Sequence, residues 1–471
     1  MYAFLVTVVI YAFPFEPPPG SPDDLVADAR AAARWLESVA IETPHGLAWP
    51  AVADAADASP ELNLYHGAPG SILLFLELHH RTGKANSHDL EVARQAADDL
   101  IHRVSTSWLV TPAKEANGEE CGLYTGLGGV GFILLEVADG CAEQTDAVRY
   151  RAAAKEVFEA IIDRAERTEA GVAWGPVNDV ISGSAGIILA LLDAAERFEA
   201  DDPGFAEELR TCAREGGLEL LARGEVEDTQ SGRTMRWPIS TTLDRRYPNF
   251  SHGTAGIGFA LLRLDEALID EQPEVAQRFR AAALAAARRL DDLARRDDAG
   301  GLVRHHEPGG EDLFYLGWCH GPAGTSRFFT LLAERTGDAA WLEPVRTAMN
   351  TLLAQGLPNA RPEGYWNNVG RCCGAAGVAD ALLQWHVQRD DPRAIELARA
   401  LSADILSRAT SGPPDNPRFL RWTHAEHRAR PDFLQAQTGL MQGAAGIGLW
   451  LLRLDAHERG LPFHDRLPDE L

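Results

Sequence analysis

"FSHGTAGIGFALLRL", residues 250–264, reads as a polar entry, a G-x-x-G turn and then a helix whose hydrophobic residues fall on every face. The frame recurs six more times: "LYHGAPGSILLFLEL" (64–78), "LYTGLGGVGFILLEV" (123–137), "VISGSAGIILALLDA" (180–194), "WCHGPAGTSRFFTLL" (318–332), "RCCGAAGVADALLQW" (371–385) and "LMQGAAGIGLWLLRL" (440–454). The first glycines are Gly67, Gly126, Gly183, Gly253, Gly321, Gly374 and Gly443, spaced 53 to 70 residues apart. Self-similarity at a period of this kind marks a repeat architecture whose units bury their apolar surface against one another.

Segments of a second kind lie between the frames, such as "LVADARAAARWLESVA" (25–40) and "VAQRFRAAALAAARRLDDLA" (275–294), with apolar residues at helical period and charges on the opposite face. Alternation of the two kinds predicts an all-α chain: an α/α toroid of seven helical-hairpin repeats, seven apolar helices inside and seven amphipathic ones outside. A curved solenoid is the alternative, and the all-round apolarity of the first set favours closure. The predicted organisation is an apolar, Pro-rich extension over 1–24, the toroid over 25–455 and a tail over 456–471. The glycines allow the turn into each inner helix and close backbone approach.

Of 471 residues, 69 are Asp or Glu and 44 are Lys or Arg, a formal charge of -25. With no long basic run to offset it, this balance excludes nucleic acid as the partner. Cys121, Cys141 and Cys212 are scattered without a disulfide framework, and Cys372 and Cys373 are adjacent, which fits a reducing cytoplasm. The opening "MYAFLVTVVIYAF" lacks a basic flank and a cleavage site and is too short for stable membrane insertion. Export on a signal peptide is the lesser reading; a buried N-terminal strand or a start site placed too early accounts for the stretch at least as well.

Function is expected on the pairs just before each first glycine, which project toward one end of the ring: Tyr65-His66, Tyr124-Thr125, Ile181-Ser182, Ser251-His252, Cys319-His320, Cys372-Cys373 and Met441-Gln442. Trp174, Trp237, Trp366 and Trp422 lie in the polar loops leading into the frames, as packing under a loop or as walls of a pocket. Cys319 and Cys372 hold equivalent places in adjacent repeats, and Cys373 comes with them. Three cysteines at one point suit a Zn²⁺ site with an open fourth position. His320 as fourth ligand would instead close it, and three small buried hydrophobes are the plain alternative. Three thiolates leave electron density on an incoming sulfur, a setting suited to thiol alkylation rather than hydrolysis.

The glycine frames together with "WCHG" and "CCG" make residues 25–455 resemble the lanthionine cyclases of the LanC-like family. The resemblance implies a zinc-containing toroid that adds peptide cysteine thiols to dehydroalanine or dehydrobutyrine, closing thioether rings. It assigns Cys319 and Cys372 as metal ligands. Cys373 stands where the family usually has His, as in a three-cysteine branch of bifunctional lanthipeptide synthetases. The family match also selects His252 in "FSHGTAG", as proton donor to the α-carbon, and Asp179 in "NDVISGSAG", which would orient or polarise it or help take up the thiol proton. A hydrogen-bonded core histidine and a helix-capping aspartate are the plain alternatives. Some family members carry an Arg one turn before the first zinc Cys; here it is Tyr315, so that His320, Tyr315 or Arg371 would stabilise the enolate. The implied partners are a dehydrated precursor peptide with a leader, a separate dehydratase and an exporter. Addition of glutathione or another small thiol to dehydroamino acids, or a non-catalytic toroid that binds a partner protein, are the competing readings.

Overall fold

The computed structural model describes residues 24–55, 58–83, 87–111, 118–141, 143–297, 300–411, 419–464 and 466–470; the apolar opening stretch lies outside them. Seven helices begin at the glycine frames: α2 (Ala68–Thr82), α4 (Leu127–Gly140), α6 (Ser184–Phe198), α8 (Thr254–Leu268), α10 (Pro322–Thr336), α12 (Ala375–Arg389) and α14 (Ala444–Arg459). Seven more alternate with them: α1 (Leu25–Val39), α3 (His88–Thr106), α5 (Gln144–Asp163), α7 (Pro203–Arg223), α9 (Pro273–Leu293), α11 (Leu342–Ala354) and α13 (Pro392–Ser407). Burial separates the sets as the patterning predicts. Every residue from Thr254 to Leu262 in α8 is buried, whereas α9 buries the stripe Ala276, Phe279, Ala283, Ala286 and Leu290 and leaves Gln277 and Arg278 exposed.

The apolar helices pack in chain order, and α14 packs against α2, so the inner ring is closed. Each outer helix lies against the inner helix before it; α1, which has none before it, packs on α14 and completes the seventh hairpin. The toroid is therefore knit shut by its first and last helices.

The inner-helix entries are tied by a circular relay of backbone hydrogen bonds. The amide of Tyr65 donates to the carbonyl of Tyr124 (2.9 Å), Tyr124 to Ile181 (2.9 Å), Val180 to Ser251 (3.1 Å), Ser251 to Cys319 (2.9 Å), Cys319 to Cys372 (3.1 Å), Cys372 to Met441 (2.8 Å) and Met441 to Tyr65 (3.0 Å). These backbones are close enough that a side chain has no room. A Cβ on Gly253 would fall 1.6 Å from the Tyr247 carbonyl oxygen, and one on Gly324 2.0 Å from that of Trp318. Gly324→Ala is expected to destabilise the fold by about 3 kcal/mol, the upper range for forced overpacking. Gly204→Ala, in the first turn of α7 with only an Asp202 oxygen 3.8 Å from the new methyl, should be neutral or stabilising by up to ~1 kcal/mol. Denaturant midpoints of the two variants test the contrast.

Short antiparallel hairpins follow several outer helices, and a tryptophan then locks the loop beneath. The indole N–H groups of Trp174, Trp237 and Trp422 donate to the carbonyls of Ile161, Leu220 and Ile405 near the ends of α5, α7 and α13, at 2.8, 2.7 and 2.7 Å. All three are packing residues. After α14 the chain turns into the ring, where Leu467, Pro468, Asp469 and Glu470 are buried. Asp469 accepts from Arg327 (3.1 Å) and from the Tyr124 hydroxyl (2.8 Å), and Glu470 pairs with Arg371 and with Arg453 (2.9 Å). Among the described residues, no helix is long and apolar enough to cross a membrane.

Candidate functional site

The relay bond from Cys319 to Cys372 sets these residues side by side at the mouth formed by the inner-helix N-termini. The sulfurs of Cys319 and Cys373 are 3.3 Å apart, those of Cys372 and Cys373 3.5 Å, and all three lie within 4.8 Å of one another. Burial and the neighbouring thiols push the Cys372 thiol up. Cys373 is held well below the usual thiol range by its contacts with the Cys319 and Cys372 thiols and by the Gln442 amide, which donates to its sulfur at 3.7 Å. No other ligating side chain joins this cluster among the described residues. Three close sulfurs able to ionise fit a zinc ion with one position left for a further ligand.

Beside them, His252 Nδ1 stands 2.5 Å from Asp179 Oδ2. The other oxygen of Asp179 accepts from the backbone N–H groups of Ser182 (2.9 Å) and Gly183 (3.0 Å). Asp179 thus ties down the loop that enters α6 and holds the imidazole at once; the N-cap of that helix is Gly183, so Asp179 is not the helix cap of the plain alternative. The His252 side chain is 33% exposed, at the mouth rather than in the core.

His320 is buried, its ring centroid 5.5 Å from that of His252, 4.2 Å from His305 and 4.9 Å from Tyr247. Its Nδ1 is buried and has no hydrogen-bond partner among the described residues. Burial, reinforced by His305 and His252, holds its pKa well below the imidazole range. Burial and His306 bring His305 down to about 3, and the Nδ1 atoms of His305 and His306 are 2.8 Å apart. Both His305 and His320 are therefore neutral near pH 7 and available as polar, uncharged hydrogen-bonding groups.

Of the residues weighed for the enolate, Tyr315 and His320 face this region: the Tyr315 ring is 4.2 Å from His305, 5.9 Å from His320 and 5.2 Å from Trp366. Arg371 does not, its guanidinium being turned into the ring toward Glu470. The arginine that does interact with Tyr315 is Arg428, from the loop after the strand Leu420–Ala425. Trp366 differs from the other loop tryptophans in lying against Tyr315, its N–H bound to the Ala425 carbonyl (2.8 Å). Tyr247, His305, His306 and Arg428 did not emerge from the frame alignment. Tyr247 carried a signal, for Tyr247 and Tyr315 each stand six residues before a first glycine; the others come from loops of unequal length.

The model of the family described as lanthionine synthetase C-like protein matches residues 59–465. Among solved structures, the chain is similar to a nisin cyclase, with a TM-score of 0.60 and 15% identity over 93% of this chain and 95% of that one. It is also similar to the Lin0763 protein from Listeria innocua, with a TM-score of 0.51 and 12% identity over 94% of this chain and 99% of that one. No curated protein matches the chain. At these identities the structures speak for the fold, and the family match over most of the sequence speaks for descent: the chain belongs to the lanthionine synthetase C-like family.

Proposed function

We propose that this protein is a zinc-dependent lanthionine cyclase, which adds the cysteine thiols of a dehydrated precursor peptide to dehydroalanine or dehydrobutyrine and so closes thioether rings. The observation that carries the reading is one juxtaposition: three sulfurs within 4.8 Å of one another at the same mouth as a histidine held by a buried carboxylate. The likeness to a nisin cyclase points the same way. A separate dehydratase would make the substrate in the cytoplasm, and an exporter would take the product.

Cys319, Cys372 and Cys373 would hold the zinc, which when bound supplies a Lewis acid that ionises the substrate thiol while three thiolates preserve the nucleophilicity of its sulfur. Attack on the β-carbon displaces an electron pair onto the amide oxygen. The seven inner-helix N-termini around the mouth favour the resulting negative charge, and the neutral ring of His320, the Tyr315 hydroxyl and Arg428 are the groups at hand to hydrogen-bond it. His252, with Nδ1 donating to Asp179, carries the proton for the α-carbon on Nε2. The Asp179 carboxyl group behind it, 2.5 Å from Nδ1, fixes the orientation of the ring.

A dehydrated peptide containing a free Cys should leave the reaction with unchanged mass and no alkylatable thiol, because intramolecular addition is an isomerisation. A peptide retaining its Ser should stay inert, since an alcohol offers no electrophilic β-carbon. Mass spectrometry with and without a thiol-alkylating reagent decides it. Gain of the mass of glutathione would replace the reading with small-thiol addition, and zinc-loaded protein that protects no thiol and transfers none would leave a binding toroid.

A further inference from the structure

A second histidine–carboxylate pair stands at the same mouth, on the other side of the sulfurs. The residues directly before the first glycines are, in order, His66, Thr125, Ser182, His252, His320, Cys373 and Gln442. The backbone relay holds them around one rim. Onward from Cys373 come Gln442 and then His66, because α14 packs on α2; in the other direction come His320 and then His252. His66 Nε2 is 3.7 Å from Glu426 Oε1. Glu426 is fixed in turn by the Gln437 amide (3.0 Å to Oε2), and the His66 backbone N–H by Asn63 Oδ1 (2.8 Å).

The two histidines are alike in access, the His66 side chain being 32% exposed, close to the value for His252, while Glu426 at 22% is more open than the buried Asp179. A short bridge joins the His66 pair to the Cys373 flank. The Tyr65 ring lies 4.4 Å from that of His66, its hydroxyl accepts from Gln442 Nε2 (3.0 Å), and the same amide reaches the Cys373 sulfur (3.7 Å). Although burial raises the Glu426 carboxyl, the His66 ring 3.7 Å away and the hydrogen bond from Gln437 keep it below the usual carboxylate range. The titratable groups facing His66 are Glu426 and Tyr65, with His427 beyond Glu426 and Cys373 beyond Gln442.

Addition of a thiol across a double bond moves two protons, one off sulfur and one onto the α-carbon, at different atoms. We propose that His66, oriented by Glu426, is the base that takes the proton from the substrate thiol, leaving His252 to deliver the other. This rests on the cyclase reading above. The S–H bond breaks and its proton goes to His66 Nδ1, while Nε2 faces the Glu426 carboxylate at 3.7 Å. The C–S bond forms at the β-carbon and the π pair passes to the amide oxygen. When the enolate collapses, the α-carbon takes the Nε2 proton of His252. His66 ends one proton richer and His252 one poorer, and both are open enough to water to exchange back. Glu426 is a positioning residue in this scheme.

The test uses the full chain, loaded with zinc for rates and with cobalt for a direct view of thiol ionisation. With a dehydrated Cys peptide, His66→Gln should cyclise ~10² slower at pH 7, as for a lost general base. It should recover as the pH passes the thiol's own pKa of about 8.5, whereas His252→Asn should not. With a Cys peptide that has no dehydrated residue, thiolate-to-cobalt absorption should appear about one pH unit higher in His66→Gln, a tenfold harder ionisation. Glu426→Gln should shift it the same way by less, and Glu426→Asp should restore part of that shift. A midpoint that does not move in His66→Gln overturns the proposal, whatever the rate does. If the unaltered protein cyclises nothing and the midpoint still moves, the cyclase reading falls while thiol activation by His66 stands.

Discussion

Cys372→Ala is expected to weaken zinc binding by ~10²-fold or more, since each ligand carries a large part of a binding free energy of about 10 kcal/mol or above, and to abolish cyclisation with it. Cys372, like Cys319, is a buried member of both the relay and the cluster, its backbone bonded to Cys319 on one side and Met441 on the other, so the replacement removes a sulfur without loosening the ring. Cys319→Ala and Cys373→Ala should lower zinc as well. Cys121→Ala, Cys141→Ala and Cys212→Ala should leave it at one per chain, because burial holds those thiols up at about 11, 11 and 12 and none joins the cluster. Cys373→His should keep the metal and slow or re-order ring closure, an imidazole being a neutral ligand that leaves less electron density on the reacting sulfur. Metal analysis of dialysed protein is the measurement, and full zinc in Cys372→Ala would sink the assignment.

His252→Asn should retain fold and zinc and cyclise ~10² to ~10⁴ slower, the range for loss of a positioned general acid. The 2.5 Å contact with Asp179 is what makes the loss specific. Asparagine still bonds to the carboxylate but has no proton to give the α-carbon. Asp179→Asn should do less damage to the chemistry and more to the fold, since both oxygens are engaged and two backbone N–H groups depend on one of them. Rates from quenched mass spectrometry and zinc content from the same preparations separate the two effects. A wild-type rate in His252→Asn removes the residue from the mechanism, and loss of folding would restore the core-histidine reading despite its exposure.

The ring was legible because its constraints are local and repeated. Each frame must turn, admit a neighbouring backbone and bury a helix on all sides, so "GTAGIGFALL" and "GAAGIGLWLL" carry the same message wherever they occur. Cys319, Cys372 and Cys373 were legible for the same reason, since equivalent positions in adjacent repeats meet on closure. Residues that arrive from loops were not. Arg428, His305 and Glu426 sit in segments whose lengths differ from repeat to repeat, and nothing in their neighbourhoods indicates that the folded loop bends toward the mouth. Arg371 was misleading in the opposite sense: it adjoins the reactive cysteines in sequence, yet its side chain is drawn into the ring by Glu470, a hundred residues away less one. Charges that pair across such separations leave no periodic trace. The partnership of α1 with α14 is likewise a product of closure.

A closed relay of seven links has a circumference, and the distance between neighbouring links is not free to vary. The Cys319–Cys372 bond is one such link, so the gap between two of the sulfurs is dimensioned by the whole hoop rather than by the loops that carry them. Sequence between the frames can lengthen, shorten or exchange its hairpins without retuning that gap, as the 53- to 70-residue spacings attest. Loops around the mouth can thus diverge in length and sequence while the spacing of the three sulfurs keeps its gauge.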